Sequence, residues 1–512
     1  MLIKAYGSAV HGISATTITI EVNITFGIRF FIVGLADNAV KESQKRVESA
    51  IITNGFDWPR KRVVINMAPA DIRKEGSVYD LPMALAVLAA SEQLHTEMFA
   101  DYVIMGELSL DGTVQSVRGV LPMALRALQE GFKGIIVPKV NSREAAVVEG
   151  LDVIGVESLR QAHRFLLGKE LIEPTRIDVR EEFMRGLANY DLDFSDVKGQ
   201  EAVKRALIIA ACGQHNAIMV GPPGSGKTML AKRISGIIPP MTLEEALETT
   251  KIHSVAGKMG SQTGLVTLRP FRSPHHTISD VALVGGGNNP QPGEISLAHN
   301  GVLFMDELPE FKRNVLEVLR QPLEDRVITV SRARFTVDYP ANFMLIASMN
   351  PCPCGFHNHP EKSCSCSPGA VKNYLNRVSG PLLDRIDIHI EVVPVPFRQL
   401  SELRQAESSE EIRKQVIKGS QIQEKRFAGI TGVYANSQMN SAMLRKYCAL
   451  GQESMVILKN AMEKLGLSAR AYDRILKVSR TIADLDGETH IGPAHVSEAV
   501  NYRNLDREGW AG

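Results

Sequence analysis

No stretch of this sequence approaches the run of about 20 apolar residues that spans a bilayer, so no membrane partner is expected. The first ten residues, Met1 to Val10, carry neither a basic leader nor a long apolar core, and no signal peptide is expected. An excess of charge is also lacking. The 58 basic and 57 acidic residues leave a net +1, which excludes a global electrostatic footprint for nucleic acid. Any such contact must be local, as in a lined channel. Cysteine is scarce, six in 512 residues, which argues against a disulfide framework. These absences point to a cytoplasmic protein. The rest, 44% hydrophobic and 22% charged, is ordinary globular composition, and the length calls for two or three domains.

Three segments emerge along the chain. Residues 1–167 mix strand-like alternation at Ala15 to Ile24, helical spacing at Asn38 to Ile52, a strand at Arg62 to Met67 and a helix at Leu81 to Ala90, the pattern of an α/β domain. Residues 168–189 are charged and poor in large apolar side chains, and read as a linker. Residues 190–396 alternate strands and helices, whereas 397–512 lack strand signals and are mostly helical. There is no internal repeat, and the one biased tract is the Cys/His/Pro-rich stretch 351–368.

The apolar run Asn216 to Val220 leads into Gly221-Pro222-Pro223-Gly224-Ser225-Gly226-Lys227-Thr228, a complete phosphate loop, and then into helical spacing. Glycines let backbone N–H groups turn inward around phosphate oxygens, and the helix N-terminus adds positive potential. Lys227 is placed to reach the β- and γ-phosphates of ATP, and Thr228 to bind Mg²⁺. Downstream, the apolar residues Val302 to Met305 end in Asp306 and Glu307. On a buried strand these acids would hold Mg²⁺ and polarise the attacking water, respectively. A further apolar strand ends at Asn350, whose amide could orient that water. Arg385 follows within Asp384-Arg385-Ile386-Asp387; it is either an arginine supplied across a subunit boundary or the partner of a neighbouring acid.

Cys352, Cys354, Cys364 and Cys366 form two C-x-C pairs nine residues apart. Four thiolates suit a tetrahedral structural Zn²⁺; the alternative is a proline-rich loop with free thiols. Four cysteines complete a shell, leaving His357 and His359 solvated. Cys212 and Cys448 read as packing residues.

The order of these motifs resembles an AAA+ ATPase, with residues 193–204 as the adenine-side box, Val302 to Glu307 as Walker B and Asn350 as sensor 1. Arg385 then matches the arginine finger, and Arg470, in Ser468-Ala469-Arg470, matches sensor 2. The segment Gly293 to Gly301 and the long helical stretch from Ala469 resemble the magnesium-chelatase-like clade, and the whole chain resembles the YifB/ComM family. The resemblance implies a homo-hexameric ring that acts on single-stranded or branched DNA, with branch migration in recombination or natural transformation. The implied fold is α/β: a Lon-protease-like (ribosomal S5 domain 2-like) N-terminal domain, an AAA+ P-loop core and an all-α C-terminal lid. In the Lon-like region Val78 falls on the nucleophile position and Leu121 on the lysine position, so proteolysis is not expected and the domain reads as a collar. Residues 327–338 read as a hairpin where this clade inserts one into the pore, and Arg332 is the candidate contact to a DNA backbone, against a plain solvated turn. Arg269 to His276 and Gly285 to Gly287 read as a second insert; no further metal ligands cluster near His275 and His276. Two competing functions remain, a chelatase-like protein-remodelling ATPase and an ATP-regulated DNA-processing scaffold.

Overall fold

The computed structural model describes residues 2–186, 192–260, 263–287, 290–332, 335–357, 359, 361–395, 407–430 and 432–503. Two compact units are present: Met1–Leu187 with Thr242–Thr267 and Pro290–Pro292, and Ala188–Met241 with Leu268–Asn289 and Gly293–Gly512.

The first unit is built on a seven-stranded mixed sheet. Its order is Phe30–Val33, Arg62–Ala68, Ser14–Thr25, Leu2–His11, Tyr102–Ile104, Gly134–Pro138, Asp152–Val156. The long pair Leu2–His11 and Ser14–Thr25 is antiparallel, and the strands from Tyr102 onward run parallel. Alternation works as expected: Ile18, Ile20 and Val22 point into the core while their neighbours are more exposed. The helix Asn38–Thr53 starts where Asp37 accepts from the Val40 amide at 2.7 Å. The helix Asp80–Ala90 is buried on every face, so periodicity alone could not have oriented it.

Two features of this unit differ from the sequence reading. The stretch expected as a linker contains the helix Val179–Gly186; Val179 is buried, and Glu182 binds Arg143 at 3.0 Å and the Gly264 amide at 3.0 Å. The helix Leu243–Val255, expected within the ATPase core, belongs to the first unit. Ser254 donates its hydroxyl to the buried Glu144 and accepts the Gly119 amide on its carbonyl at 3.0 Å.

The second unit carries a five-stranded all-parallel sheet in the order Phe271–Arg272, Val302–Met305, Met344–Met349, Ala217–Val220, Ile388–Glu391. The three central strands are buried at every residue, as continuous apolar runs in a sheet covered on both faces should be. C-terminal to residue 407 come the helices Ser409–Phe427, Gln452–Leu465, Ala469–Leu485 and Pro493–Asn501. Ile475 and Ile482 of the third share one core with Leu207 and Ile209 of the helix Glu201–Gly213. Each such fully buried isoleucine contributes about 1.5–3 kcal/mol. The hairpin pairs Val327–Arg332 with Phe335–Pro340. Arg332 is the last paired residue before the turn, and its side chain lies outside the described residues, as do residues 333 and 334.

Candidate functional site

In a parallel sheet ligand chemistry collects at the carboxyl ends of the strands. Here Met344–Met349 lies between the phosphate-loop strand and the acid-bearing strand, with Met219 opposite Ser348 and Met305 opposite Ala347. Three adjacent strand ends therefore deliver Gly221, Asn350 and Asp306 to one place.

Gly226 caps the helix Lys227–Arg233 at φ 88, a left-handed backbone that favours glycine. The Lys227 ammonium donates to the carbonyls of Gly221 and Pro222, each at 2.8 Å, and to Asn350 Oδ1 at 3.3 Å. Burial lowers its pKa below the ordinary lysine value, while Asp306 and Glu307 oppose that shift. Thr228 Oγ1 donates to Asp306 Oδ2 at 2.8 Å, and Ser348 Oγ donates to the other carboxylate oxygen. The Ser225 hydroxyl is buried in the loop with no hydrogen-bond partner among the described residues, the kind of group a phosphate oxygen satisfies. A lysine, a hydroxyl and a carboxylate converging beside that orphan hydroxyl fit a Mg²⁺–nucleotide.

Glu307 takes φ 55 and ψ 49, a left-handed conformation that strains a non-glycine residue. Its Oε2 lies 3.5 Å from His276 Nδ1, so the second insert brings a histidine to the acid. Gln200 Nε2 donates to the carbonyls of Ser225 at 3.0 Å and Val393 at 3.2 Å, tying the phosphate loop to the far edge of the sheet. The sequence reading included Gln200 in the 193–204 box and His276 in the second insert, but not these contacts. Ser348, a hydroxyl inside an otherwise apolar strand, was not singled out.

Two of the sequence-derived site residues stand apart. Arg385 is 5% exposed; its Nη2 lies 2.7 Å from Glu324 Oε1, and Nη1 donates to the Pro381 carbonyl at 2.6 Å. Its ion pair is thus with Glu324 and not with the adjoining acids. Arg470 is exposed in the first turn of the helix Ala469–Leu485, which Ser468 caps by accepting from the Ala471 amide at 3.2 Å. Among the described residues, no hydrogen bond or ion pair joins either arginine to the phosphate loop.

The four cysteines form one cluster, every Sγ within 4.8 Å of the others. Cys352 and Cys354 sulfurs are 3.3 Å apart, Cys352 and Cys364 3.7 Å, Cys354 and Cys364 3.6 Å. Four thiolates at about 2.3 Å from one zinc have edges of roughly 3.8 Å, so the donor set fits. Cys212 and Cys448 are buried elsewhere. In the first unit, Ser77 donates to Glu107 Oε2, and Leu121 is fully buried with its amide on Glu144 Oε1 at 3.0 Å.

Three family models match the chain: magnesium chelatase subunit ChlI over residues 193–400, subunit ChlI of Mg-chelatase over 20–141, and the subunit ChlI C-terminal model over 406–503. The chain is 44% identical over 505 residues to the competence protein ComM of Haemophilus influenzae, covering 98% of this chain and 97% of that one. It is also 44% identical over 500 residues to YifB of Escherichia coli, covering 97% and 96%. A shorter likeness, 32% over 157 residues, links it to Lon protease 2 of Bacillus subtilis, covering 28% of this chain and 27% of that protein.

Proposed function

The chain belongs to the YifB/ComM family of magnesium-chelatase-like AAA+ ATPases, and from that premise we propose that it is an ATP-driven motor acting on DNA. It works as a homo-hexameric ring in the cytoplasm, on single-stranded or branched DNA, and its role is branch migration or heteroduplex extension in recombination or natural transformation. The observation that carries the ATPase reading is the convergence of Lys227, Thr228, Asp306 and Asn350 at three neighbouring strand ends. The similarity to a competence protein carries the DNA role.

On this reading, nucleotide entry draws the Lys227 ammonium off its own loop carbonyls and onto the β- and γ-phosphates. Thr228 and Asp306 would hold Mg²⁺, which would supply positive charge against the phosphate oxygens. Ser348 fixes the Asp306 carboxylate, Asn350 orients water, and Glu307 accepts its proton after leaving the His276 contact. Arg385 serves a neighbouring subunit's phosphate once Glu324 releases it, and Arg470 closes the lid side of the same pocket. The four cysteines would hold a structural Zn²⁺. Arg332, at the end of the hairpin strand, contacts the DNA backbone.

The test is ATP turnover by the purified protein alone and with single-stranded, duplex and four-way DNA. Stimulation by DNA is the expected result. Robust turnover unaffected by any of the three would remove the DNA motor and favour the alternative, a magnesium-chelatase-like protein-remodelling ATPase.

A further inference from the structure

The strand end that carries Asn350 runs within five residues into the cysteine cluster, and the connecting segment touches the phosphate loop three times. The Gly221 amide donates to the Met349 carbonyl at 3.2 Å. Asn350 Oδ1 accepts from Lys227 at 3.3 Å. Gly355 then lies so close to Pro223 that a Cβ on it would meet the proline Cδ at 2.4 Å. Gly355 is buried, takes φ +84, and donates its amide to the Cys352 carbonyl at 3.0 Å in a turn closed between the first two cysteines and the tip. That approach places a rigid ring against a backbone with no side chain to yield.

The cluster ties this segment together from its far side. Cys352 is fully buried, the Cys354 amide donates to Cys366 Sγ at 3.4 Å, and the His357 amide donates to Cys352 Sγ at 3.3 Å. Between the two C-x-C pairs, Phe356 stacks edgewise on His359 at 5.6 Å and lies under the Lys362 ammonium at 5.0 Å, so the span is packed on itself.

We propose that the metal-loaded cysteine cluster is a buttress of the phosphate loop: zinc bound by Cys352, Cys354, Cys364 and Cys366 holds Gly355 against Pro223 and thereby sets the affinity of the ATP site. The proposal rests on the zinc reading above. Loss of metal frees the segment, and with it the wall that shapes Pro222 to Gly224 around phosphate.

The experiment separates the two readings by measuring metal and nucleotide independently. Zinc content of protein purified without chelators is determined first; less than about 0.2 zinc per chain overturns both readings. With zinc present, the dissociation constant for a fluorescent ATP analogue is measured on wild type, Cys366→Ser and Gly355→Ala. Cys366→Ser is expected to lose zinc and to weaken binding by tenfold or more. Gly355→Ala keeps all four cysteines and is expected to retain full zinc yet weaken binding several-fold, because its methyl group pushes Pro223 away. It also keeps the proposal testable if the cysteine variant fails to fold. Full zinc with unchanged nucleotide affinity in Gly355→Ala overturns the buttress while leaving the zinc site standing.

Discussion

Asp387 and Arg474 form a buried ion pair at 3.0 Å, linking the segment that carries Arg385 to the helix that carries Arg470. The carboxylate also accepts from the Asn216 amide at 3.1 Å and faces His215 Nδ1 at 3.3 Å, and His215 Nε2 lies 2.7 Å from Thr481 Oγ1 on that same helix. Burial by itself would raise the Asp387 pKa, but Arg474 and His215 outweigh it and hold the carboxyl well below the usual range.

Removing that carboxylate leaves Arg474, only 15% exposed at its side chain, without its partner. Asp387→Ala is therefore expected to cost about 3–5 kcal/mol, read as a lower melting temperature of the second unit by calorimetry. Asp387→Asn, which keeps a group able to accept the Asn216 amide, should cost less. Equal melting of wild type and Asp387→Ala would show that the pair does not hold the helix.

Ser348, on the neighbouring strand, donates to Asp306 Oδ1, which also accepts the Glu307 amide at 3.1 Å. Ser348→Ala should raise the Mg²⁺ concentration needed for half-maximal ATP turnover by several-fold, with nucleotide affinity in saturating Mg²⁺ little changed. A magnesium titration of the ATPase rate reads this directly, and coincident curves would dismiss the residue from the site.

Lys477 donates to the Ser437 carbonyl at 2.8 Å, and burial together with Arg474 pushes its pKa down to about 8, against the pull of Asp387. Arg326 also disfavours the charged form and Asp473 favours it. An amine whose folded pKa is depressed binds fewer protons in the folded than in the unfolded protein between about 8 and 10.5, so its contribution to stability rises with pH across that window. Wild type should gain melting temperature relative to Lys477→Met between pH 8 and pH 10. A constant difference would contradict the assignment.

Lys227→Ala removes the ammonium from the phosphate loop and should abolish ATP turnover. In a ring whose sites fire in coordination, a half-and-half mixture with wild type should keep well under half the activity. A fall strictly proportional to the mutant fraction would argue against coordination.

What could be read in advance was local. The phosphate loop lies within eight consecutive residues, Val302 to Glu307 within six, and the C-x-C pairs announce themselves by spacing. Each is a short pattern whose chemistry needs no distant partner to be recognised. The helical and strand stretches 38–53, 62–68 and 80–90 were equally legible to within a residue or two. What escaped depends on register and long-range packing. Ser348 meets Asp306 because two strands lie side by side with Met305 opposite Ala347. Glu324 reaches Arg385 across sixty residues of sequence, and Gly355 reaches Pro223 across more than a hundred. The helix Leu243–Val255 fell inside the stretch assigned to the ATPase core, since its Thr242–Glu245 capping box says where it starts and nothing about what it packs on.

That same helix gives the protein a particular order of birth. A ribosome releasing residues 1–187 has not finished the first unit: Glu144 still lacks the Ser254 hydroxyl, and the Gly119 amide still lacks its acceptor. The unit closes only after the phosphate loop has already been synthesised and Pro292 has emerged. The two units are thus interleaved during translation, and neither can be excised or swapped as a continuous cassette.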